Sequence, residues 1–120
     1  MDITHVQEIS IERAKKWHTG GIADWSALEW AGCMAGEAGE AANFAKKLKR
    51  IDDQIKNIES GVVNTNVEEI KRKVAKEVAD TILYGVLVAA KVGYVGKDFE
   101  DIIKKVFNDK SFEYGFPERL

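Results

Sequence analysis

Four acidic residues have the spacing that places carboxylates on one face of a helix. Glu37 and Glu40 are three residues apart, and Glu77 and Asp80 repeat that spacing further along the chain. Residues three apart on an α-helix lie one turn from each other on the same side. Each pair can therefore present two carboxylates in one direction, as oxygen ligands for a hard metal ion.

The neighbours of each pair indicate that these faces point inward. At about 100° per residue, the stripe of the first pair also holds Trp30, Cys33, Phe44, Leu48 and Ile51. The stripe of the second pair also holds Ile70, Val74, Tyr84, Leu87 and Val88. Carboxylates on apolar faces repel one another and lose hydration, so they need protons, cationic partners or a metal.

Oxygen-only ligands favour Mg²⁺, with Mn²⁺ as the usual substitute. Mg²⁺ held by carboxylates keeps positions open for water and substrate phosphates, which points to phosphoryl chemistry. The competing interpretation is a solvated or salt-bridged helix face, for example Glu77 paired with Lys73. A di-iron bundle would need Glu-x-x-His, and neither His5 nor His18 follows a glutamate at that spacing.

The chain has 120 residues and a net charge of -2. That length suits one domain, 1–120, with a modest core that favours an oligomer. Eighteen basic against 20 acidic residues give no basic footprint for nucleic acid. Cys33 is the single cysteine, which fits a reducing cytoplasm. No apolar stretch approaches the roughly 18–20 residues of a membrane span, so we expect a cytoplasmic protein without membrane contact.

The elements that must position the carboxylates are predicted to be all helical. Residues 1–116 contain no proline, and Ala, Lys, Glu and Ile are frequent. Capping-box pairs begin the first three helices, namely Thr4 with Gln7, Ser26 with Glu29 and Asn66 with Glu69. The pattern predicts helices over about 5–18, 25–50, 66–93 and 98–108, the last capped by Asp98. Residues 51–66 are expected to be a loop with about one helical turn, and residues 110–120 an irregular tail.

The second predicted helix carries three glycines, Gly32, Gly36 and Gly39, among several alanines. Each glycine lowers helix stability by roughly 1 kcal/mol relative to alanine. Their presence is understandable if another helix or a bound ligand approaches this face closely.

At these residues the sequence resembles the MazG-like nucleotide pyrophosphohydrolases, which are all-α NTP pyrophosphatases. The family pattern, ExxE on one helix and ExxD on a later one, is similar to Glu37–Glu40 and Glu77–Asp80. Tyr84 matches a residue of dCTPase-like members, and Asn108-Asp109-Lys110 resembles the N-x-K element that reaches substrate phosphates. The resemblance covers the chain from about Trp17 to Tyr114.

The resemblance implies a helical bundle of four to five helices that completes its site as a homodimer or homotetramer. The reaction implied is Mg²⁺-dependent hydrolysis of a (deoxy)nucleoside triphosphate to the monophosphate and pyrophosphate. The metal ligands and catalytic residues would be Glu37, Glu40, Glu77 and Asp80. One glutamate would also orient or deprotonate the attacking water.

Two features depart from the family pattern. Thirty-six residues separate Glu40 from Glu77, a longer connection than compact members use, and residues 51–66 account for it. Lys47 stands where dCTPase-like relatives carry a base-stacking aromatic residue. The resemblance therefore does not carry over their cytosine preference.

Several other residues have both a binding and a structural interpretation. Trp17 and Trp25 flank a Gly-Gly break and could stack a base or pack in an interface, whereas Trp30 is expected in the core. Lys47 is a candidate phosphate ligand, and Asn108 and Lys110 follow the N-x-K resemblance. The basic clusters 46–50 and 71–73 are expected to be solvated helix surface.

A second class of function remains open on the sequence. The chain could be a non-enzymatic helical module that binds a nucleotide or a protein partner, with the carboxylates as a metal or assembly site. Metal-dependent turnover distinguishes the enzyme from a module that metal merely stabilises.

Overall fold

In the computed structural model of the protein, residues 1–57 and 67–120 are described. These residues form four α-helices and a short 3-10 helix at Gly21–Asp24, with no strand among them. The helices are α1 (Ile3–Trp17), α2 (Ala27–Asn57), α3 (Val67–Lys91) and α4 (Lys97–Glu113). The all-α prediction is confirmed. No helix in the described ranges is long and apolar enough to cross a membrane.

The helix boundaries differ from the sequence predictions at several ends. Asp2, and not Thr4, caps α1: its carboxylate accepts from the His5 N–H at 2.9 Å and from the Thr4 hydroxyl at 2.6 Å. These bonds, that of Thr4 first, lower the pKa of Asp2. The cap of α4 is Gly96 at φ 58° in place of Asp98. α2 begins directly after Ser26, as predicted.

Two predicted irregular segments are partly helical. α2 continues through residues 51–57, so the helical part of the predicted loop at 51–66 is longer than the one turn expected and belongs to α2. The remainder of that loop, including the predicted cap Asn66, lies outside the described residues. α4 likewise continues to Glu113, so the predicted tail at 110–120 is helical over its first four residues. Lys110 therefore lies within α4 and not in an irregular tail.

Glycines end the last two helices by the same geometry. Gly93 has φ 97°, and the Tyr94 N–H donates to the Ala89 carbonyl at 2.9 Å. Gly115 has φ 71°, and the Phe116 N–H donates to the Ser111 carbonyl at 2.8 Å. This is the Schellman arrangement, which needs a left-handed residue after the helix and so favours glycine. The predicted end of α3 near Gly93 is confirmed.

The described residues belong to two compact units, Met1–Leu28 with Val86–Leu120 and, separately, Glu29–Gly85. In the first unit α1 packs against α4, around buried residues that include Ala14, Val86, Leu87 and Ala90. The second unit contains most of α2 and α3. It buries Trp30, Ile51 and the acidic Glu77.

Gln7 is the polar centre of the first unit. Only 1% of the residue is exposed, and its amide nitrogen donates to the carbonyls of Val86 at 3.0 Å and Tyr94 at 2.9 Å. Its amide oxygen accepts from the Gly96 N–H at 2.7 Å. Gln7 therefore binds two backbone groups of the turn between α3 and α4, those of Tyr94 and Gly96, which have no place in a helix, and one carbonyl inside α3, that of Val86. It does not serve the capping box that the sequence suggested.

We expect Gln7→Leu to lower the free energy of unfolding by about 2–4 kcal/mol, because buried backbone groups lose their partners. Urea denaturation followed by circular dichroism measures the change. Glu8→Leu, at the exposed neighbouring position, is the matched control and should stay close to the wild type. Equal stability of the Gln7 variant would show that water replaces the amide at this turn.

Candidate metal centre

Three of the four predicted carboxylates come together in the second unit. Glu37 of α2 and Glu77 and Asp80 of α3 each place a carboxylate oxygen within 4.8 Å of the other two. Glu77 is 8% exposed, and the other two residues are half-buried. We refer to Glu37, Glu77 and Asp80 as the carboxylate cluster. Glu40, one turn after Glu37, is exposed and is not among these three.

The pairing of α2 with α3 brings the cluster together. Trp30 near the start of α2 faces Tyr84 near the end of α3, with ring centroids 6.4 Å apart. Further along α2, Phe44 has the ammonium of Lys73 5.5 Å from its ring centroid. The two helices therefore run antiparallel. Glu37 lies midway between Trp30 and Phe44 along α2, at the level of the acidic pair of α3.

Glu77 has a buried oxygen with no hydrogen-bond partner. Its Oε2 is inaccessible to solvent and meets no donor in the described structure, whereas Oε1 pairs with the Lys76 ammonium at 3.2 Å. A buried acceptor without a donor is costly, and more so when it is charged. Oε2 would therefore be stabilised by a hydrogen bond from a protonated neighbour or by a bound cation.

Glu37 is the neighbour that can hold such a proton. A hydrogen bond shared with Glu77 raises the pKa of Glu37, with burial and the negative charges of Glu77 and Asp80 adding to it. Two carboxylates can share a hydrogen bond only when one of them is protonated. In the absence of metal, the cluster thus holds a proton more readily than separate carboxylates do.

The donor set fits a hard divalent cation. Mg²⁺ binds oxygen ligands at about 2.1 Å, so two ligands of one ion are at most about 4.2 Å apart. The cluster oxygens, within 4.8 Å of one another, need only small side-chain rotations to reach that spacing. The cluster contains no histidine or cysteine, which argues against zinc and a di-iron centre.

Lys76 pairs with two carboxylates of the cluster, and no sequence motif had singled it out. Its ammonium lies 3.0 Å from Asp80 Oδ2 as well as 3.2 Å from Glu77 Oε1. These contacts, that with Asp80 first, raise the pKa of Lys76. The competing interpretation paired Glu77 with Lys73, but among the described contacts Lys73 pairs with Glu69 at 3.7 Å and Glu77 pairs with Lys76. The Lys76–Asp80 spacing of four residues was the available signal.

Tyr84, one turn after Asp80 on α3, is half-buried. Burial raises the pKa of Tyr84, and the neighbouring Cys33 and Glu37 add to the shift. Tyr84 therefore stays a neutral phenol beside the carboxylates. Trp30, packed against it and 1% exposed, is in the core as predicted.

Lys47, the predicted phosphate ligand, is exposed in the same unit as the cluster. Its ammonium lies 4.9 Å from the centroid of the Phe44 ring, which also has Lys73 at 5.5 Å. Two ammonium groups therefore lie within cation–π distance of one aromatic ring. The arrangement leaves Lys47 available to an anion, and its predicted role stays a prediction.

The remaining candidate ligands lie in the first unit. Trp17 is 62% exposed, with the Arg13 guanidinium 4.8 Å from its ring centroid. Trp25 is half-buried and packs edge-on to His18 at 4.6 Å. These contacts occupy part of each indole surface, and both base-stacking assignments stay predictions.

Asn108 and Lys110 of α4 also belong to the first unit. The Asn108 amide binds the backbone of Leu120, accepting from its N–H at 2.8 Å and donating to its carbonyl at 3.4 Å. Lys110 is exposed, 5.6 Å from the Tyr114 ring centroid and 3.9 Å from the Glu113 carboxylate. The amide of Asn108 thus holds the C-terminal residue. The phosphate-binding roles of Asn108 and Lys110 stay predictions.

The glycines of α2 face open space. A Cβ atom added at Gly32, Gly36 or Gly39 would meet nothing within 4 Å among the described residues. The predicted close approach of a helix or ligand to these glycines therefore stays a prediction.

No family model, curated protein or solved structure matches the chain. The resemblance to the nucleotide pyrophosphohydrolases therefore depends on the motif residues, and the carboxylate cluster is the structural observation that bears on it.

We expect Glu77→Gln to raise the melting temperature in EDTA by about 2–5 °C, since relief of charge repulsion is a change of order 1 kcal/mol. The new amide can donate to Glu37 while its carbonyl still accepts from Lys76. Differential scanning calorimetry provides the measurement. Glu68→Gln, an exposed position on the same helix, is the control and should change little.

The difference in melting temperature between Glu77→Gln and the wild type should become smaller as the pH falls from 8 to about 4.5. The pKa of Glu37 is raised above its ordinary value of 4.5, so the folded wild type binds a proton before the unfolded chain does. Stability linked to Glu37 therefore rises as the pH falls through that window. A gap that stays constant with pH would show that Glu37 and Glu77 are not coupled.

Proposed function

We propose that this all-α protein is a Mg²⁺-dependent nucleoside triphosphate pyrophosphohydrolase. The observation that carries the proposal is the carboxylate cluster with the buried, unpartnered Oε2 of Glu77. An oxygen that lacks a donor on a site of three carboxylates is suited to a cation. A hard cation on oxygen ligands is in turn the partner of phosphate substrates. Motif similarity to the MazG-like enzymes supports the choice of reaction.

Water would add to the α-phosphorus, and the bond from that phosphorus to the α,β-bridging oxygen would break. The products are a nucleoside monophosphate and pyrophosphate. Glu37, Glu77 and Asp80 would hold Mg²⁺, with Glu40 joining them from the next turn of α2. When bound, Mg²⁺ would neutralise charge on the phosphates and polarise the reacting centre.

The chain's own residues have separate tasks in this proposal. The exposed carboxylate of Glu40 is suited to orienting the attacking water and accepting its proton. Tyr84 excludes water from the apolar side of the cluster. Lys47, in the same unit as the cluster, would attract the phosphates, and the phosphate roles of Asn108 and Lys110 rest on the motif resemblance.

We expect pyrophosphate release with Mg²⁺ from at least one member of a panel of NTPs and dNTPs. Glu40→Ala and Asp80→Ala should each lower turnover by about 100-fold or more while the helical circular dichroism persists. Glu68→Ala is the control and should retain activity. Orthophosphate in place of pyrophosphate would contradict the proposed bond. Metal-dependent stability without turnover of any nucleotide would favour the non-enzymatic module.

We further propose that the active form is a homodimer or homotetramer. Val78 and Ile82 are 45% and 49% exposed on one face of α3, one turn apart, and the glycine face of α2 is open. Adjacent exposed apolar side chains are suited to a surface that another chain covers.

Analytical ultracentrifugation should give a dimer or larger for the wild type and a smaller species for Ile82→Glu, because a charge on that face is costly to bury. Lys71→Glu, at an exposed polar position of the same helix, should leave the assembly unchanged. A monomeric wild type would refute this assembly.

A further inference from the structure

We infer that Lys76 is a tethered counter-ion that neutralises the carboxylate cluster when it holds no metal, and that competes with the metal for it. The inference depends on the metal site of the proposed function. It assigns a role to a residue that the motif resemblance does not include.

The contacts of Lys76 differ from those of an ordinary surface lysine. Lysines such as Lys97 and Lys105 pair with an exposed carboxylate one turn away. Lys76 also reaches the carboxylate of the adjacent residue, Glu77, which is buried. Neighbouring side chains on a helix do not normally face each other. The ammonium therefore lies at the cluster, between two of its three members.

The Lys76 ammonium neutralises the negative charge of the cluster only in part. Three carboxylates lie within 4.8 Å of one another, and one buried oxygen has no partner. A single ammonium at 3.0 and 3.2 Å offsets only part of that charge. A divalent cation bound by the same oxygens would offset more of it. The ammonium and the metal would also repel each other.

The exposure of Lys76 makes such an exchange feasible. Its side chain is 64% exposed, so the ammonium can move into water when a metal arrives. Exposed ion pairs are weak, because water and salt screen them. Lys76 can thus limit repulsion in the metal-free protein and still give way to the metal.

The test is Mn²⁺ binding by isothermal titration calorimetry to the wild type, Lys76→Gln, Lys76→Arg and Lys71→Gln. We expect Lys76→Gln to lower the Kd for Mn²⁺ about three- to tenfold, as expected from the loss of one or two exposed ion pairs. Lys76→Arg keeps the charge and should resemble the wild type. Lys71→Gln removes an exposed lysine that pairs with Glu68 and is the matched control.

The melting temperature in EDTA is an independent readout. Lys76→Gln should melt below the wild type and Lys71→Gln, because the cluster loses its only partial neutralisation among the described contacts. Added Mn²⁺ should raise its melting temperature more than that of the wild type.

The outcomes separate the two proposals. If the wild type binds Mn²⁺ and Lys76→Gln binds it equally or more weakly, the competing role of Lys76 is refuted and the metal site stands. If the wild type binds no Mn²⁺, the metal site of the proposed function is refuted, and the competition with it.

Discussion

Repulsion among three carboxylates is the constraint on which the rest of the site depends. Glu37, Glu77 and Asp80 are held close together, and Glu77 is almost fully buried. Like charges at this range disfavour the ionised form of each other. The folded chain tolerates them because Glu37 takes up a proton readily, as its raised pKa indicates, and because Lys76 lies against the other two.

The two-helix pairing of α2 and α3 imposes that repulsion. Aromatic contacts on either side of Glu37 set the register, with Trp30 against Tyr84 and Phe44 near Lys73. Burial of large apolar and aromatic side chains is the main favourable term in folding. The stability gained from such packing can hold an unfavourable charge arrangement that binding a cation relieves. Strain of this kind is typical of functional sites.

In the first unit, a buried amide pairs backbone groups that would otherwise lack hydrogen-bond partners. The turn between α3 and α4 leaves backbone groups without helical partners, and the buried Gln7 of α1 binds two of them as well as the Val86 carbonyl inside α3. An amide can do so because it carries both donors and an acceptor and bears no charge. Burial of a polar side chain thus fixes the backbone in one unit, whereas in the other it leaves an oxygen without a partner.

The sequence by itself determined the helical class, the main helices and the two acidic pairs. These features are local, since they depend on proline absence, helical periodicity and i, i+3 spacing. It also predicted the end of α3 at Gly93, because glycine has a specific conformational role there. It misplaced the caps at Asp2 and Gly96, since several nearby residues could have served.

Only the tertiary structure decided which carboxylates meet. Glu37, Glu77 and Asp80 converge, and Glu40 does not join them here, although all four share the same spacing pattern. The same holds for Lys76, which reaches Glu77 and Asp80, whereas the competing interpretation had named Lys73. Periodicity assigns a residue to a face of its helix. Which oxygen remains without a partner depends on the register between two helices, and that register is set by packing at distant positions.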